Sequence, residues 1–459
     1  MLGEAFLKIS SAWRGSFART KSFERSIALA LGQLCGVGRG TTTRGILALG
    51  RQEEDWSAFY RLCSRAPWDA ESLFGSAFKE SLRWIKSDWV AVAYDDTRLK
   101  KTGKKIPGAQ YHRDPLSPPF HANLVYGLRF LQCSVLLPLH SEGEGRARAV
   151  PVSFELAPCI KKPGKMATAE EVAEYKKACK ERNLSTSFVA NLARQRRVLD
   201  DLGGSKRLLV AAVDGSFCNK NCLTGIPERT LVIARARKDA KLCFPAISGG
   251  LKKYADLKFT PEDVLKDSER PFEKAEVYFG GARRELRYKK LEGVLWQGGT
   301  KTRPVTLLVL APTPFKNSKA GRLLYRAPAF LICTGTGLDA VRVLQTYLDR
   351  WQIEVNHREE KDILGVGEAQ VRSNKAVPRQ PALIVAAYSI LILASLRAFG
   401  PGRSQNYPAL PKWRRDKRRA SIPDMLCMLR AEWADPTSAL SLRVKAPPGY
   451  KNLVMTAAA

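Results

Sequence analysis

The sequence predicts an α/β fold in which helices flank a mixed sheet, with a helical region before the sheet and a β-rich insertion within it. Apolar runs typical of β-strands begin at residue 88. A charged helical stretch over residues 168–203 separates the third run from the fourth, and this alternation is typical of helices packed on a sheet. Residues 250–336 then become strongly β-rich, which predicts an inserted sheet.

Residues 1–85 are basic and have the pattern of a small helical region. The apolar run SIALALGQLCG follows several basic residues, and GRGTTTRGILALG and DWSAFYRLCSRA indicate two more short helices. Such a region could be a helix-turn-helix reader of duplex DNA. It could equally be a helical cap on the domain that follows, and the sequence leaves both interpretations open.

Five strand-like runs follow the helical region. The predicted order is three strands, a helix and two strands: DWVAVAYDD, GLRFLQCSVLLPLH, AVPVSFELA, then RLLVAAVDGSF and LVIARARKDAKLCF. The first run ends in Asp95 and Asp96, and the fourth ends in Asp214. Helix returns over residues 337–365. Residues 381–396 predict a buried core helix rather than a membrane span, because they fall short of the roughly 20 residues that cross a bilayer.

These patterns divide the chain into four parts. Residues 1–85 form a helical, basic region with a predicted role in DNA binding, and residues 86–249 and 337–400 form the α/β domain. Residues 250–336 form the β-rich insertion. Residues 401–459 form a basic C-terminal region that contains KWRRDKRR around Trp413.

The charge of the chain indicates a polyanionic partner. Lys and Arg number 76 against 44 Asp and Glu, which gives a net charge of +32. Nucleic acid is the first expectation, ahead of an anionic membrane or ribosome-type packing. Of the ten cysteines only Cys218 and Cys222 are close in sequence, and no second Cys or His pair stands at zinc spacing. We therefore expect buried thiols and a cytoplasmic protein.

Residues 347–361, YLDRWQIEVNHREEK, combine charge with a helical period. At about 100° per residue, Tyr347, Arg350, Glu354 and Lys361 fall within roughly 60° of arc, whereas Glu359 and Glu360 fall on other faces. A stripe of this composition is a poor core face, because unpaired polar groups are costly to bury. It suits a phosphate contact around one metal-binding carboxylate. The alternative is a solvated face with i,i+4 ion pairs.

Asp95 and Asp214 strengthen the prediction of a metal site. Ligands of open α/β sheets bind beyond the carboxyl ends of the strands, where both residues are expected. With Glu354 from a packed helix they could hold two Mg²⁺ ions about 3.5–4 Å apart, which suits phosphoryl chemistry. A single Asp at a strand end is more often a turn residue, so the prediction depends on all three.

The spacing Tyr347-x2-Arg350-x3-Glu354-x6-Lys361 resembles the Y-R-E-K signature of DDE transposases from bacterial insertion sequences. RWQIE around Glu354, DDTRLKKTGKK around Asp95 and VDGSF around Asp214 extend the resemblance. It implies a ribonuclease H-like catalytic domain with a β-rich insertion, which binds the ends of its insertion sequence and catalyses DNA cleavage and strand transfer.

The resemblance also implies residue roles and partners. Asp95, Asp214 and Glu354 correspond to the catalytic metal ligands, for two Mg²⁺ ions with Mn²⁺ as an alternative. Tyr347, Arg350 and Lys361 correspond to residues that contact the terminal phosphates of transposon DNA. Trp351 either stacks on a flipped base or packs the helix. We expect duplex DNA as the partner, both as transposon ends and as target. We also expect a homodimer on paired ends and a bacterial, nucleoid-associated location.

Three alternatives remain open. Asp96 could replace Asp95 as the first ligand, although the family motif resembles Asp-x-Thr/Ser and favours Asp95. Glu359-Glu360-Lys361 could form the tail of a PD-(D/E)xK nuclease motif, which requires a β-strand there. The protein could also be an inactive or domesticated relative that acts by binding DNA.

Overall fold

The computed structural model describes residues 1–114, 120–121, 123–139, 147–246, 252–318, 321–410 and 419–446. In this part of the chain, helices flank a mixed sheet of parallel and antiparallel strands, as predicted. The helices are α1 (Leu2–Ser10), α2 (Thr20–Cys35), α3 (Thr42–Ala48), α4 (Ser57–Ser64), α5 (Gly75–Ser81), α6 (Ala169–Glu181), α7 (Leu184–Leu199), α8 (Lys220–Thr224), α9 (Pro261–Lys266), α10 (Ala340–Asp349), α11 (Gln352–Arg358), α12 (Ala376–Phe399), α13 (Ile422–Ala434) and α14 (Ala439–Arg443).

The strands fall in three sheets. They are β1 (Trp89–Lys100), β2 (Gln110–Arg113), β3 (Leu124–Leu137), β4 (Arg148–Leu156), β5 (Leu208–Val213), β6 (Thr230–Arg235), β7 (Leu242–Pro245), β8 (Tyr254–Phe259), β9 (Glu273–Phe279), β10 (Ala282–Val294), β11 (Val305–Leu310), β12 (Thr313–Phe315), β13 (Leu324–Arg326) and β14 (Ala329–Cys333). Ten of the described strands form the main sheet, and β7–β8 and β12–β13 form small separate pairs.

The centre of the main sheet is the part that matters for the site. Across it the strands run β4–β3–β1–β5–β6, where β4, β3 and β1 are antiparallel neighbours and β1, β5 and β6 are parallel. The connection from β4 to β5 is helical, through α6 and α7, each of which begins with a reciprocal side-chain cap. The predicted order of three strands, a helix and two strands is confirmed for β1, β3, β4, β5 and β6, with the helix divided in two, but the short strand β2 between β1 and β3 was not predicted.

Two strand predictions were wrong in extent. The β1 strand does not end at its acids but continues to Lys100, because its antiparallel pairing with β3 extends beyond its parallel pairing with β5. The run LVIARARKDAKLCF is two strands, β6 and β7, interrupted after Arg235.

Four strands of the β-rich segment extend the main sheet, whereas β8 and the β12–β13 hairpin belong to the two small pairs. Strand β14 pairs with β6, and β11, β10 and β9 follow it outward. Strand β11 (VTLLVL) is buried along its whole length, since helices or strands cover both of its faces. The prediction of an inserted separate sheet is therefore corrected: the insertion lies between β6 and α10 in sequence but continues the same sheet in space.

The predicted buried core helix is confirmed as α12. By length and composition it is the one described helix that could cross a membrane, with a hydropathy of 2.1, but 83% of that window is buried inside the fold. It packs against α1, α2 and β4. Its apolar surface is thus satisfied within the protein.

The N-terminal helices and the C-terminal helices share one core with α12. The backbone amides of Leu2 and Gly3 donate to the Glu432 carboxylate at 2.8 and 2.6 Å, and α1 packs on α13 and α14. This packing favours the helical-cap interpretation of residues 1–85, and their predicted DNA contact stays a prediction. Helices α13 and α14 of the C-terminal region thus belong to this core. Trp413 and its neighbours in KWRRDKRR lie outside the described residues.

Candidate active site

Asp95 and Asp214 lie next to each other where the parallel β1–β5 pairing ends. The last register pair of this ladder is Tyr94 with Val213, so each aspartate is the next residue of its strand. Side chains alternate between the faces of a sheet. Ala93 belongs to the apolar cluster beneath α10 and α11, which places Asp95 on that same face.

Asp214 begins a tight turn directly after β5. Its Oδ1 accepts hydrogen bonds from the amide of Ser216 at 3.0 Å and from the hydroxyl of the same residue at 2.6 Å. This is the turn role that a lone strand-end aspartate commonly has. It leaves Oδ2 without a hydrogen bond to any described residue.

Glu354 reaches the same face from α11. The apolar side chains of Val343, Leu344 and Ile353 are fully buried against the sheet, which fixes the path of α10 and α11 over it. The predicted continuous helix is interrupted, however. Residues Arg350 and Trp351 separate α10 from α11, and residues 359–363 are π-helical. A uniform step of about 100° therefore misplaces Lys361.

The three carboxylates interact electrostatically at Asp95. The pKa of Asp95 is raised to about 7, first by burial and then by the charge of Asp214, while Arg350 opposes both. Asp96 and Glu354 add smaller repulsion. A carboxyl held among like charges is typical of functional sites, where a cation completes the charge balance.

The structure does not bring the three side chains into one ligand cluster. No group of three His, Cys, Asp or Glu close enough to hold a metal ion occurs within the described ranges. Glu354 instead has Oε1 at 3.4 Å from Arg350, as an i,i+4 pair. The geometry therefore supplies a shared face and mutual repulsion, but not a closed coordination sphere.

The predicted phosphate-contacting residues surround the carboxylates. Tyr347 is half-buried, and the Arg350 guanidinium lies 5.8 Å from the centre of its ring. The Nε atom of Arg350 is buried and has no hydrogen-bond partner among the described residues. Burial lowers the pKa of the Lys361 ammonium, whereas Glu360 and Asp95 raise it. The solvated-face alternative fails for Arg350, whose side chain is only 13% exposed.

Trp351 is placed for an external contact. Its side chain is 59% exposed, so it does not pack the helix against the core. Exposed tryptophan rings are costly in water and are enriched where a partner covers them.

Asp96 is directed away from this face. Neighbouring residues of a strand alternate in direction, and Asp96 forms an ion pair of 3.6 Å with Arg98 on its own side. Tyr94, on that side as well, donates its hydroxyl to Asn191 of α7. Of the two adjacent acids, Asp95 is the one that faces Asp214 and Glu354.

The sequence analysis missed a buried histidine beside Asp95. His357 Nδ1 lies 3.9 Å from Asp95 Oδ2, and its Nε2 is buried without a hydrogen-bond partner in the described part of the chain. Burial, followed by the charges of Lys361 and Arg350, lowers the pKa of His357 to about 3, so the ring is neutral. Its position one turn after Glu354 was the available signal.

A buried polar network beneath the site was also missed. Gln132 Nε2 donates to Glu360 at 3.0 Å, and Ser134 donates to Asn356 at 3.1 Å. The Tyr388 hydroxyl donates to Glu359 at 2.5 Å. These bonds anchor α11 and the π-helical turn to β3 and α12. Because residues 359–361 are helical, the strand that a PD-(D/E)xK motif needs is not present there.

The prediction of buried thiols is confirmed for Cys222 and met only in part for Cys218. Cys222 is buried and Cys218 half-buried, and burial raises the pKa of the Cys218 thiol to about 12. Both are free thiols, as are the other cysteines.

Comparison of the chain with protein-family models gives no match, and comparison with curated proteins gives no match either.

Proposed function

We propose that this protein is a DDE transposase that binds the ends of its insertion sequence and catalyses metal-dependent DNA cleavage and strand transfer. The observation that carries the proposal is the placement of Asp95 and Asp214 side by side, at the end of two parallel strands, with Glu354 on the same face. The Y-R-E-K spacing assigns Glu354, and the motifs DDTRLKKTGKK and VDGSF assign Asp95 and Asp214, so the sequence resemblance and the spatial arrangement agree on one site.

We infer that the central strands form a ribonuclease H-like catalytic domain. Supporting this are the order of three antiparallel strands followed by two parallel ones, and the helical connection between the two groups. The acids come from the first and fourth of these strands, β1 and β5. The β-rich insertion that the resemblance implies corresponds to the stretch between β6 and α10.

The donor set fits Mg²⁺ in its chemistry. All three candidate ligands are carboxylates, and hard oxygen donors suit magnesium or manganese rather than zinc. The pKa of Asp95 is raised first by burial and then by the charge of Asp214, and a bound cation would offset both costs. Asp95, Asp214 and Glu354 would hold the metal. When bound, the metal activates a water or 3′-hydroxyl and stabilises the leaving oxygen of the phosphodiester.

The surrounding side chains supply the substrate contacts. Arg350 and Lys361 bring positive charge to the edge of the carboxylate site, where the DNA phosphates would lie. Arg350 already pairs with Glu354 and contacts Tyr347, so it can hold the glutamate in place and bind a phosphate with the guanidinium atoms that remain free. Trp351 would stack on an extruded base.

A second candidate is a relative that binds DNA without cutting it. The observation in its favour is that the described residues contain no three-ligand metal cluster. Like the first candidate, this one has duplex DNA as the partner, which the charge of +32 supports.

The test is cleavage of DNA that carries the inverted repeats flanking the gene, with Mg²⁺ present. Wild type should nick these ends and join them to a target. Asp95→Asn, Asp214→Asn and Glu354→Gln should each abolish cleavage and keep end binding, because each removes a ligand charge without removing a phosphate contact. Binding without cleavage by wild type would favour the second candidate. Cleavage that survives all three substitutions would reject this site.

A further inference from the structure

We infer that residues 97–113, here called the basic arm, bind the duplex that flanks the reacting phosphodiester. The arm consists of the end of β1 beyond Asp95, the connection that follows and β2. It contains six basic residues and no acidic residue. The inference rests on the proposed function, because it takes the Asp95 site to be where DNA reacts.

The arm is fixed in position relative to the active site. Lys101 is buried, and its ammonium group donates to the carbonyls of Gly367 and Ala369 in the segment that follows the π-helical turn. Leu99 packs against Gly367 so closely that a Cβ there would lie 2.9 Å from the Leu99 Cβ. These contacts join the arm to the same segment that carries Lys361. Lys101 is thus structural and Arg98 pairs with Asp96 at 3.6 Å, which leaves four basic residues available for a partner.

The remaining basic side chains lack internal partners. Lys100, Lys104, Lys105 and Arg113 are exposed and form no ion pair with any described residue. The far edge of the sheet differs, since Lys274 on β9 pairs with Glu285 at 3.2 Å and Arg283 on β10 pairs with Glu276 at 3.8 Å. At the far sheet edge, basic side chains are therefore neutralised by neighbouring acids, whereas in the arm they are not.

Exposed aromatic and apolar surface accompanies these charges. Tyr111 on β2 is 70% exposed, and its ring lies 5.1 Å from that of Tyr126 on β3. Leu124, at the start of β3, is 61% exposed. Cationic side chains beside aromatic rings suit a nucleic acid, whose phosphates take the charges and whose sugars and bases cover the rings.

The distance from the carboxylates fits a duplex. Lys100 is the fifth residue after Asp95, which is about 17 Å along the strand at about 3.3 Å per residue. A duplex rises by about 3.4 Å per base pair, so the arm would meet phosphates about five base pairs from the reacting one. Both transposon-end DNA and target DNA offer these phosphates.

The experiment compares two charge-matched variants of the full chain in an Asp95→Asn background, which prevents cleavage during the measurement. The arm variant is Lys100→Ala/Lys104→Ala/Lys105→Ala, and the control is Lys274→Ala/Arg283→Ala/Arg284→Ala at the far sheet edge. Affinity for a labelled duplex of random sequence is titrated across a salt series. We expect the arm variant to lower the slope of log affinity against log salt by about 2 to 3, at about 0.9 per phosphate contact, with the control unchanged.

The outcomes separate the two proposals. If the salt slope is steep in the parent and equally steep in the arm variant, the arm does not bind the duplex and the inference is overturned. The same holds if the arm variant and the control lose slope equally. Both results leave the transposase proposal standing. A flat slope in the parent counts against DNA as the partner altogether. Loss of binding to phosphatidylserine vesicles, with DNA binding kept, would make the arm a membrane contact and overturn the inference.

The two sources of DNA are distinguished by function in a cleavage-competent chain. If the arm contacts end DNA, its variant fails to form the end complex. If it contacts target DNA, its variant cuts the ends normally and loses strand transfer into a plasmid. Either result supports the inference, and normal strand transfer with a normal salt slope refutes it.

Discussion

Glu360→Gln should stabilise the fold, and increasingly so as the pH rises. Glu360 is 1% exposed, and burial raises the pKa of its carboxyl from 4.5 to about 8. The folded state therefore keeps the proton up to about pH 8, whereas the unfolded chain releases it above pH 4.5. A carboxyl with a raised folded pKa gives stability that is complete below pH 4.5 and is lost as the pH rises through 8.

The magnitude follows from this window. Each pH unit between the two pKa values costs about 1.4 kcal/mol of unfolding free energy, so the cost at pH 7 is about 3 kcal/mol. Glutamine has the shape of the protonated acid and no proton to release. It also offers an amide donor to Gln132 Oε1, which is buried without a hydrogen-bond partner in the described residues. Glu360→Gln should therefore recover most of this cost.

The assay is urea unfolding of wild type and Glu360→Gln at several pH values between 5 and 8. Asp95 and Glu71 also have pKa values raised to about 7, but they titrate in both proteins and cancel in the difference. Glu360→Ala is the control: it removes the same titrating group, so its stability relative to wild type should rise with pH in the same way but lie below that of Glu360→Gln at every pH, because it leaves a cavity and an unpaired Gln132 amide. The reasoning is refuted if the difference in unfolding free energy between Glu360→Gln and wild type is no larger at pH 8 than at pH 5.

Four further outcomes are expected. Asp96→Asn should retain cleavage, since Asp96 faces away from Asp214; an inactive Asp96→Asn beside an active Asp95→Asn would reverse the assignment. Trp351→Ala should keep the midpoint temperature of unfolding because the ring is exposed, and it should impair only a hairpin or second-strand step. A lower midpoint temperature with equal loss of every step would identify Trp351 as a packing residue. Arg350→Ala and Lys361→Ala should weaken retention of cleaved ends in a gel-shift assay, and unchanged retention would remove their phosphate role. Light scattering should show a dimer that forms or tightens on end DNA, because the DNA phosphates neutralise the repulsion between two chains of net charge +32. A complex with one protein per duplex at all concentrations would exclude the dimer.

The sequence was sufficient to place the acids because the apolar runs end at the same residues as the parallel β1–β5 pairing. Asp95 follows six buried residues and Asp214 follows a run that is buried almost throughout, so each marks the point where apolar burial ends. Burial patterning does not show where hydrogen bonding ends, however. The antiparallel partner β3 extends β1 for several residues past Asp95, and such long-range pairing is not encoded in local periodicity.

Two of the missed features have a long-range origin. The continuation of the sheet from β6 to β14 joins strands almost 100 residues apart, and α13 reaches the N-terminal helices across most of the chain. The break near Arg350 and the π-helical turn at residues 359–363 were missed for a different reason. Helical periodicity averages over several turns, so a local change in pitch disappears within it.

Two other buried carboxyls show what a purely structural acid looks like in this chain. Glu71 accepts bonds from Ser153 at 2.6 Å and from Arg194 at 3.0 Å, and Glu360 accepts one from Gln132. Asp95 instead accepts one bond from its neighbouring amide, and faces two further carboxylates. The chain has 76 basic residues, so a neutralising side chain could readily have been placed there. Arg350 opposes the repulsion at Asp95, but its guanidinium already pairs with Glu354. We therefore expect a bound cation to supply the rest of the counter-charge at Asp95.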